Sequence, residues 1–366
     1  MQENRPWRVA VIGCGSFANG QYLPNIPKEA NAVTVAAVDI IFERAEAACR
    51  RFGIPHAFAS VEELLASGVE FDIAIDAASI QAHHGINMAI LGAGKHLISQ
   101  KPAAPTVAQL TEQIELAKKM GAVFVCAPIH PMRYDLAVAK QIIRDGAVGD
   151  VYYARCNLSH GGPEYFQYRE ADPSWFYEEG AGALVDMGVH GLQIVTGVFG
   201  AARRFACMAK VTTPRRTVRS GAFDGKEIQT DKIPDQYVIT LDFGEGKMAL
   251  VDTGFSQKAS RAPQLEIFGD RGTISFTRPY MSNPMPEVYM DCPEKGIRGW
   301  IAPDSWTKIP PRLNSQCCCL GDLVRAVETG TRPVLSAEHA RHVLEIMTKI
   351  PEAIETGRTM ELETTF

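Results

Sequence analysis

The chain has 366 residues, 46% hydrophobic and 22% charged, and its 37 basic against 42 acidic residues leave a net charge of -5. That balance excludes a disordered polypeptide and gives no basic face for nucleic acid. The longest apolar runs, Val33 to Val38 and Ala122 to Ala127, fall far short of the ~18 residues a membrane helix requires. At roughly 100–200 residues per domain, the length predicts two domains, each able to bury a core. Nine cysteines, three of them in the run Cys317-Cys318-Cys319, show no spacing of a disulfide framework. A reducing, cytoplasmic setting is expected, and a strand-like segment from about Trp7 leaves no secretory leader in view.

In chain order, Trp7 to Ile12 reads as a buried strand, short, apolar and followed by Gly13. Val33 to Val38, Phe71 to Ala78, Leu97-Ile98 and Val123 to Ala127 read as further strands. Helical patterns lie between them at Phe42 to Phe52, Ala82 to Ala93 and Thr106 to Met120. In the last, Leu110, Ile114 and Ala117 recur at helical spacing and Thr106 can serve as N-cap. Apolar strands alternating with helices predict a doubly wound α/β domain with a parallel sheet over residues 1–127.

The pattern changes beyond Pro128, and residues 128–366 are expected to form an α+β domain with a large open, mostly antiparallel sheet. Its elements are a helix at Met132 to Arg144, a strand at Val151 to Leu158 and an irregular aromatic stretch at Pro163 to Tyr177. The apolar run Leu184 to Phe199 follows. Tyr237 to Phe243 and Lys247 to Asp252, joined by Gly244-Glu245-Gly246, predict a β-hairpin because glycine permits positive φ. Leu265 to Phe268 and Thr273 to Phe276 extend the strands, and helices return at Leu320 to Glu328 and Ser336 to Ile350. Residues 210–235 and 279–312 read as long loops from their Pro, Gly and charge content. The C-terminal helix is expected to pack back on the first domain.

Gly13-Cys14-Gly15-Ser16-Phe17-Ala18 follows the first strand and opens a helix. In a G-x-G-x-x-G/A turn the first glycine makes the bend and the second admits a pyrophosphate. Ser16 and Phe17 then lie where helix N–H groups can donate to it, and Ala18 keeps helix and sheet close. Asp39, 24 residues after Gly15 at the end of the second strand, can accept hydrogen bonds from a ribose and repel a 2′-phosphate. No basic residue follows until Arg44, so NAD is expected over NADP.

Gln100-Lys101-Pro102 directly follows the Leu97-Ile98 strand, at a sheet edge where ligands bind. There Lys101 could donate a proton or bond a reacting oxygen, although a lysine beside a proline is ordinarily an exposed turn. Asp186 and His190, four residues apart, would share one helical face and could address one substrate. Their plain alternative is an ordinary helix with a salt-bridged histidine.

Taken together, these three elements resemble the Gfo/Idh/MocA family, the glucose–fructose oxidoreductase and inositol dehydrogenase group. Its opening fingerprint is matched by Gly13 to Ala18. Its A-G-K-H-V-x-x-E-K-P motif is matched by Ala93-Gly94-Lys95-His96-Leu97-Ile98-Ser99-Gln100-Lys101-Pro102, and its G-G-G-A-L-x-D-x-G-x-H motif by Gly180 to His190. Ile267 to Gly272 and the closing Ala337 to Gly357 helix are similar as well, so the likeness spans nearly the whole chain. The resemblance implies that Lys101 contacts the reacting hydroxyl and the cofactor, that His190 exchanges the proton, and that Asp186 binds substrate hydroxyls. A hydride would pass between nicotinamide and a hydroxyl or carbonyl carbon of a sugar, sugar acid or cyclitol.

Two departures stand out. Gln100 replaces the usual glutamate, and Ala78-Ser79-Ile80-Gln81 lacks the usual Thr-Pro-Asn, although His83 falls where that motif has a histidine. Ser79, His83 and Gln100 are therefore expected at the cofactor. His130, Arg133, His160 and Trp175 are expected to face a small-molecule carbohydrate or cyclitol, aromatic faces packing the ring. No metal site is expected, since adjacent cysteines lack C-x-x-C spacing and a buried run explains Cys317 to Cys319. Cys14, at a variable position of the fingerprint, reads as incidental, although a helix N-terminus could lower its thiol pKa, and His339 with His342 reads as a surface pair. The reading is thus an NAD-dependent oxidoreductase, a homodimer or homotetramer with no nucleic-acid or membrane partner. The alternatives are an NAD-dependent glycosidase working by transient oxidation and a non-catalytic sensor.

Overall fold

The structure is a computed structural model and describes residues 5–166, 172–276, 285–301 and 315–366. In its first strand, β1 (Trp7–Ile12), Val9, Ala10 and Val11 are fully buried, as suits a sheet covered on both faces. Then follow α1 (Ile26–Glu29), β2 (Ala32–Val38), α2 (Phe42–Phe52), β3 (His56–Phe58), α3 (Val61–Ala66) and β4 (Ile73–Asp76). After these come α4 (Ile80–Gly92), β5 (His96–Ser99), α5 (Val107–Met120) and β6 (Phe124–Cys126). The six strands form one sheet in the order β3-β2-β1-β4-β5-β6, with every pair parallel. Strand order reverses between β1 and β4, and a doubly wound sheet opens its ligand crevice there, at the strand C-termini.

Local chemistry explains these elements. Helix α5 begins where the Thr106 hydroxyl accepts from the Gln109 N–H at 3.3 Å and ends at Gly121, whose φ of 67° permits a left-handed cap. Between sheet and helices, Ala74, Leu97, Ile90, Leu91 and Leu110 pack into one core.

The second unit contains α6 (Tyr134–Arg144), β7 (Val151–Ser159), α7 (Pro163–Phe166), α8 (Val189–Phe199) and β8 (Arg204–Lys210). It continues with β9 (Arg215–Thr217), β10 (Glu227–Gln229), β11 (Gln236–Gly244), β12 (Lys247–Gly254), β13 (Leu265–Gly269) and β14 (Gly272–Phe276). The last strands before the chain leaves this unit are β15 (Glu287–Cys292) and β16 (Ile297–Ile301). Then come α9 (Cys318–Thr329), α10 (Ala337–Thr356) and β17 (Met360–Glu361). Nine strands form a sheet in the order β16-β15-β14-β13-β7-β12-β11-β8-β17. Among the described residues of this sheet, only β7 and β12 pair in parallel. The expected hairpin is present, and Gly244, Glu245 and Gly246 all have positive φ. On one sheet face lies α8, and it lies close. A Cβ on Gly191 would come 2.8 Å from Val251 Cγ1, and one on Gly188 would come 3.2 Å from Thr253 Cγ2.

Several expectations are corrected. Residues 210–235 are not one loop, since β9 and β10 pair antiparallel within them. Residues 279–312 include β15 and β16, which continue the large sheet; 279–284 and 302–312 lie outside the described residues, as do 167–171 of the aromatic stretch. His339 and His342 are buried, 3% and 0% exposed, because they face the inner side of α10. The first compact unit runs through Ile129 and takes in Ser315–Leu344, whereas the second holds His130 onward together with Glu345–Phe366.

Candidate active site

The first unit carries a loop shaped for a phosphate. Gly13 donates its N–H to the Val38 carbonyl at 2.8 Å and has φ of 86°. A Cβ there would lie 2.6 Å from the Ala78 nitrogen, so the close passage of the β4–α4 turn requires glycine. Gly15 is the reverse, since a Cβ on it would meet nothing within 4 Å. The first glycine serves the protein's own packing, and the second leaves room for a ligand. Ser16 is exposed, Phe17 half-buried and Ala18 buried, and the turn they open winds as a short π-helix, Ala18–Tyr22.

Asp39 ends β2 with 7% exposure and anchors this loop. One carboxylate oxygen accepts from Cys14 N–H at 2.8 Å and the other from Ile41 N–H at 2.9 Å. Each keeps a further lone pair for a ribose hydroxyl. The Cys14 thiol is pushed up to about 12 by burial and by the nearby Asp39, so the helix N-terminus does not lower it.

At the end of β5, the residues on each side of Lys101 are fixed. Asn87 donates to Ser99 Oγ and to the Ala103 carbonyl, both at 3.1 Å, and Gln113 donates to the same carbonyl at 3.3 Å. Gln100 donates through Nε2 to the Tyr22 hydroxyl, and the Lys101–Pro102 peptide is cis. The neutral side chain that stands for the family's glutamate is thus held by a buried phenol. Ser79 is exposed and precedes α4. His83, by contrast, is 1% exposed, and its Nδ1 lies 2.7 Å from Asp76 Oδ2. Since Asp76 Oδ1 also accepts from Ala78 N–H at 3.0 Å, this buried pair shapes the turn that passes Gly13. Asp76 and Tyr22 were not singled out in the sequence. An acid inside the apolar run Phe71 to Ala78 was the available signal for the first, and Tyr22 gave none.

In the second unit, Asp186 and His190 sit where a π turn, Leu184–Gly188, runs into α8. Val189 N–H reaches back to the Leu184 carbonyl, so the winding is wider than the regular α-helical face expected for this pair. His190 Nδ1 lies 2.6 Å from His130 Nε2, with the ring planes at 89°. His160 Nε2 lies 4.0 Å from Asp186 Oδ2. Burial lowers the His160 pKa, with Asp186 and Glu164 opposing, and its Nδ1 accepts from Gly162 N–H at 3.0 Å. His160 is therefore neutral near pH 7, with its proton on Nε2, toward Asp186.

Of the expected substrate-facing residues, His130 is fully buried and Arg133 is 6% exposed with its guanidinium on Asp135. Trp175 is 41% exposed and stacks on Phe176 with centroids 3.8 Å apart. Sequence reasoning also missed Arg216, which bonds the Gly161 carbonyl at 3.2 Å, Glu164 at 2.9 Å and Asp235 at 2.6 Å. This buried cluster fixes the backbone next to His160, and its members are too dispersed in sequence to signal one another.

Among the described residues, no three His, Cys, Asp or Glu side chains group to hold a metal ion. Cys317, Cys318 and Cys319 are buried at the start of α9, and burial raises the thiol pKa of Cys317 and Cys319. Among the same residues, no helix is long and apolar enough to cross a membrane.

A glycine loop on a parallel sheet, with an acid at the end of β2, joined in one chain to a mixed sheet covered by a helical segment bearing Asp186 and His190, defines a nucleotide-dependent oxidoreductase of two units. Comparison with known proteins agrees. Residues 7–127 match the oxidoreductase family, NAD-binding Rossmann fold, and residues 136–275 match the GFO/IDH/MocA C-terminal domain. The chain is 24% identical to D-glucoside 3-dehydrogenase of Escherichia coli over 69% of its length and 71% of that protein's. It is 20% identical to myo-inositol 2-dehydrogenase of Thermotoga maritima over 97% of its length and 98% of that protein's. In fold it is similar to levoglucosan dehydrogenase, solved with NADH and L-sorbose, at a TM-score of 0.82 and 20% identity over 98% of this chain and all (100%) of that one. The chain belongs to the Gfo/Idh/MocA family and is an NAD-dependent oxidoreductase. The open space at Gly15 and the acid at Asp39 fit that cofactor.

Proposed function

We propose that the protein transfers a hydride between NAD and a hydroxyl or carbonyl carbon of a sugar, sugar acid or cyclitol. The observation that carries this reading is the π turn bearing Asp186 and His190, each beside a second histidine, in a chain whose relatives include glucoside and inositol dehydrogenases. When bound, the nicotinamide supplies the hydride acceptor or donor. His190 takes the hydroxyl proton in oxidation and returns it in reduction. Lys101, held between the anchored Gln100 and Ala103, bonds the reacting oxygen and favours its negative character. Asp186 accepts from a neighbouring hydroxyl, and the exposed face of Trp175 packs against the apolar side of the ring.

Gly13, Gly15 and the N–H groups of Ser16 and Phe17 hold the pyrophosphate, with Asp39 on the ribose. Ser79, Gln100 and the Asp76–His83 pair line or support the nicotinamide side. We also propose self-association as a homodimer or homotetramer. Its support is the open face of the large sheet, where Met208 (81% exposed) sits opposite Val238 (42% exposed). All nine cysteines are free thiols, which supports a reducing, cytoplasmic location.

The test is absorbance at 340 nm with NAD or NADP against a panel of sugars, sugar acids and inositols, run in both directions. NAD-linked turnover with one class is the expected result. Tight NAD binding with a silent panel in both directions overturns the substrate assignment. Hydrolysis of a glycoside without net NADH replaces it with transient oxidation.

A further inference from the structure

We propose that His130 is a positioning residue that fixes the tautomer of His190, accepting a hydrogen bond from His190 Nδ1 so that His190 Nε2 is left to exchange the substrate proton. The inference rests on the proposed function for which nitrogen must be bare, and on geometry for the rest. Two imidazole nitrogens 2.6 Å apart must have one hydrogen between them, because none sets two lone pairs against each other and two sets hydrogen against hydrogen. The near-perpendicular rings, at 89°, let one nitrogen's lone pair meet the other's N–H without stacking. His130 is fully buried in the short 3-10 turn His130–Met132 that packs on α8, so it offers His190 one fixed partner rather than a mobile one.

Only two proton arrangements remain. If His130 donated, neutral His190 would carry its proton on Nε2 and could not take another from an alcohol there. With His130 accepting, His190 Nε2 is bare. In oxidation the hydride leaves the substrate carbon for the nicotinamide, the hydroxyl proton goes to His190 Nε2, and the oxygen closes the carbonyl bond. The imidazolium so formed keeps its Nδ1–H on His130, and reduction runs the same steps backward. Carboxylates usually orient catalytic histidines. Here a neutral acceptor does so, while the nearby Asp186 faces His160.

The test compares His130→Leu with His130→Gln, whose terminal amide can place an acceptor where Nε2 stood. By the scale of general acid–base effects, His130→Leu is expected to lower kcat about tenfold to a hundredfold, with KM and NAD affinity changed less than about twofold. His130→Gln should recover most of kcat. Unchanged kcat in His130→Leu, or equal losses in both variants, overturns the proposal. Imidazole ¹⁵N spectra of the wild-type protein decide the matter without any variant at 130, with His190→Gln identifying the His190 signals. A protonated Nδ1 on neutral His190 supports the assignment and a protonated Nε2 overturns it. If the wild type turns over nothing in the panel, the substrate assignment fails while these spectra still settle the pair.

Discussion

Gly13 and Gly15 look equivalent in the sequence, and the structure separates them. A methyl on Gly13 meets the Ala77–Ala78 backbone at a φ of 86°, so Gly13→Ala is expected to cost about 1–3 kcal/mol. A methyl on Gly15 meets nothing within 4 Å, so Gly15→Ala should melt within about a degree or two of wild type while losing NAD affinity tenfold or more. Thermal melts paired with calorimetric NAD titration check both, and equal melting losses would refute the division of labour. His190→Ala tests the chemistry at the same scale: kcat should fall by about a hundredfold or more, with NAD affinity nearly kept. Turnover near wild type sinks the assignment of the proton to His190. The motifs carrying Gly13, Lys101, Asp186 and His190 could be read from short sequence windows. The partners that position them could not, because His130 and His190 are 60 residues apart and Tyr22 and Gln100 are 78 apart.

At the scale of elements, short-range signals were legible where one local force dominates. Helix α2 falls on Phe42–Phe52 as read, and the β11–β12 hairpin falls at its glycine turn. β15 was missed although its residues alternate between buried and more open positions, because the surrounding Pro, Gly and charge masked a six-residue signal. The π turns at Ala18–Tyr22 and Leu184–Gly188 have no sequence signature. The C-terminal tail shows a long-range element held by one side chain. Glu345 on α10 accepts from Lys349 Nζ at 2.7 Å, Glu363 N–H at 2.9 Å and Thr364 N–H at 2.8 Å. Burial alone would raise its carboxyl pKa, but the bonds from Lys349 and Thr364 and the backbone N–H groups prevail and bring it down to about 2. A pKa lowered by folding adds stability that is fully present above the unfolded value of ~4.3 and is lost as pH falls toward the folded one. Glu345→Gln should therefore cost about 1–3 kcal/mol at pH 7. The difference between variant and wild-type melts should shrink between about pH 4.5 and pH 2; a gap that stays constant to pH 2 contradicts the clamp.

For the whole molecule, cofactor choice can be read as stability, because a ligand that binds only the folded state adds RT ln(1 + [L]/Kd). At a hundred times Kd that is about 2.7 kcal/mol, and at ~2–4 °C per kcal/mol NAD should raise the melting temperature by roughly 5–10 °C. NADP at the same concentration should raise it much less. Its 2′-phosphate must approach the Asp39 carboxylate, 7% exposed at the end of β2, with no basic residue before Arg44 to compensate. Asp39→Asn separates charge from shape. It removes the repulsion while keeping one oxygen to accept from Cys14 or Ile41, at the cost of the other loop bond. The NAD shift should therefore shrink and the NADP shift grow until the two are similar. Equal shifts by the two cofactors in the wild type would instead mean that the Asp39 carboxylate, tied back on its own loop, does not reach the ribose.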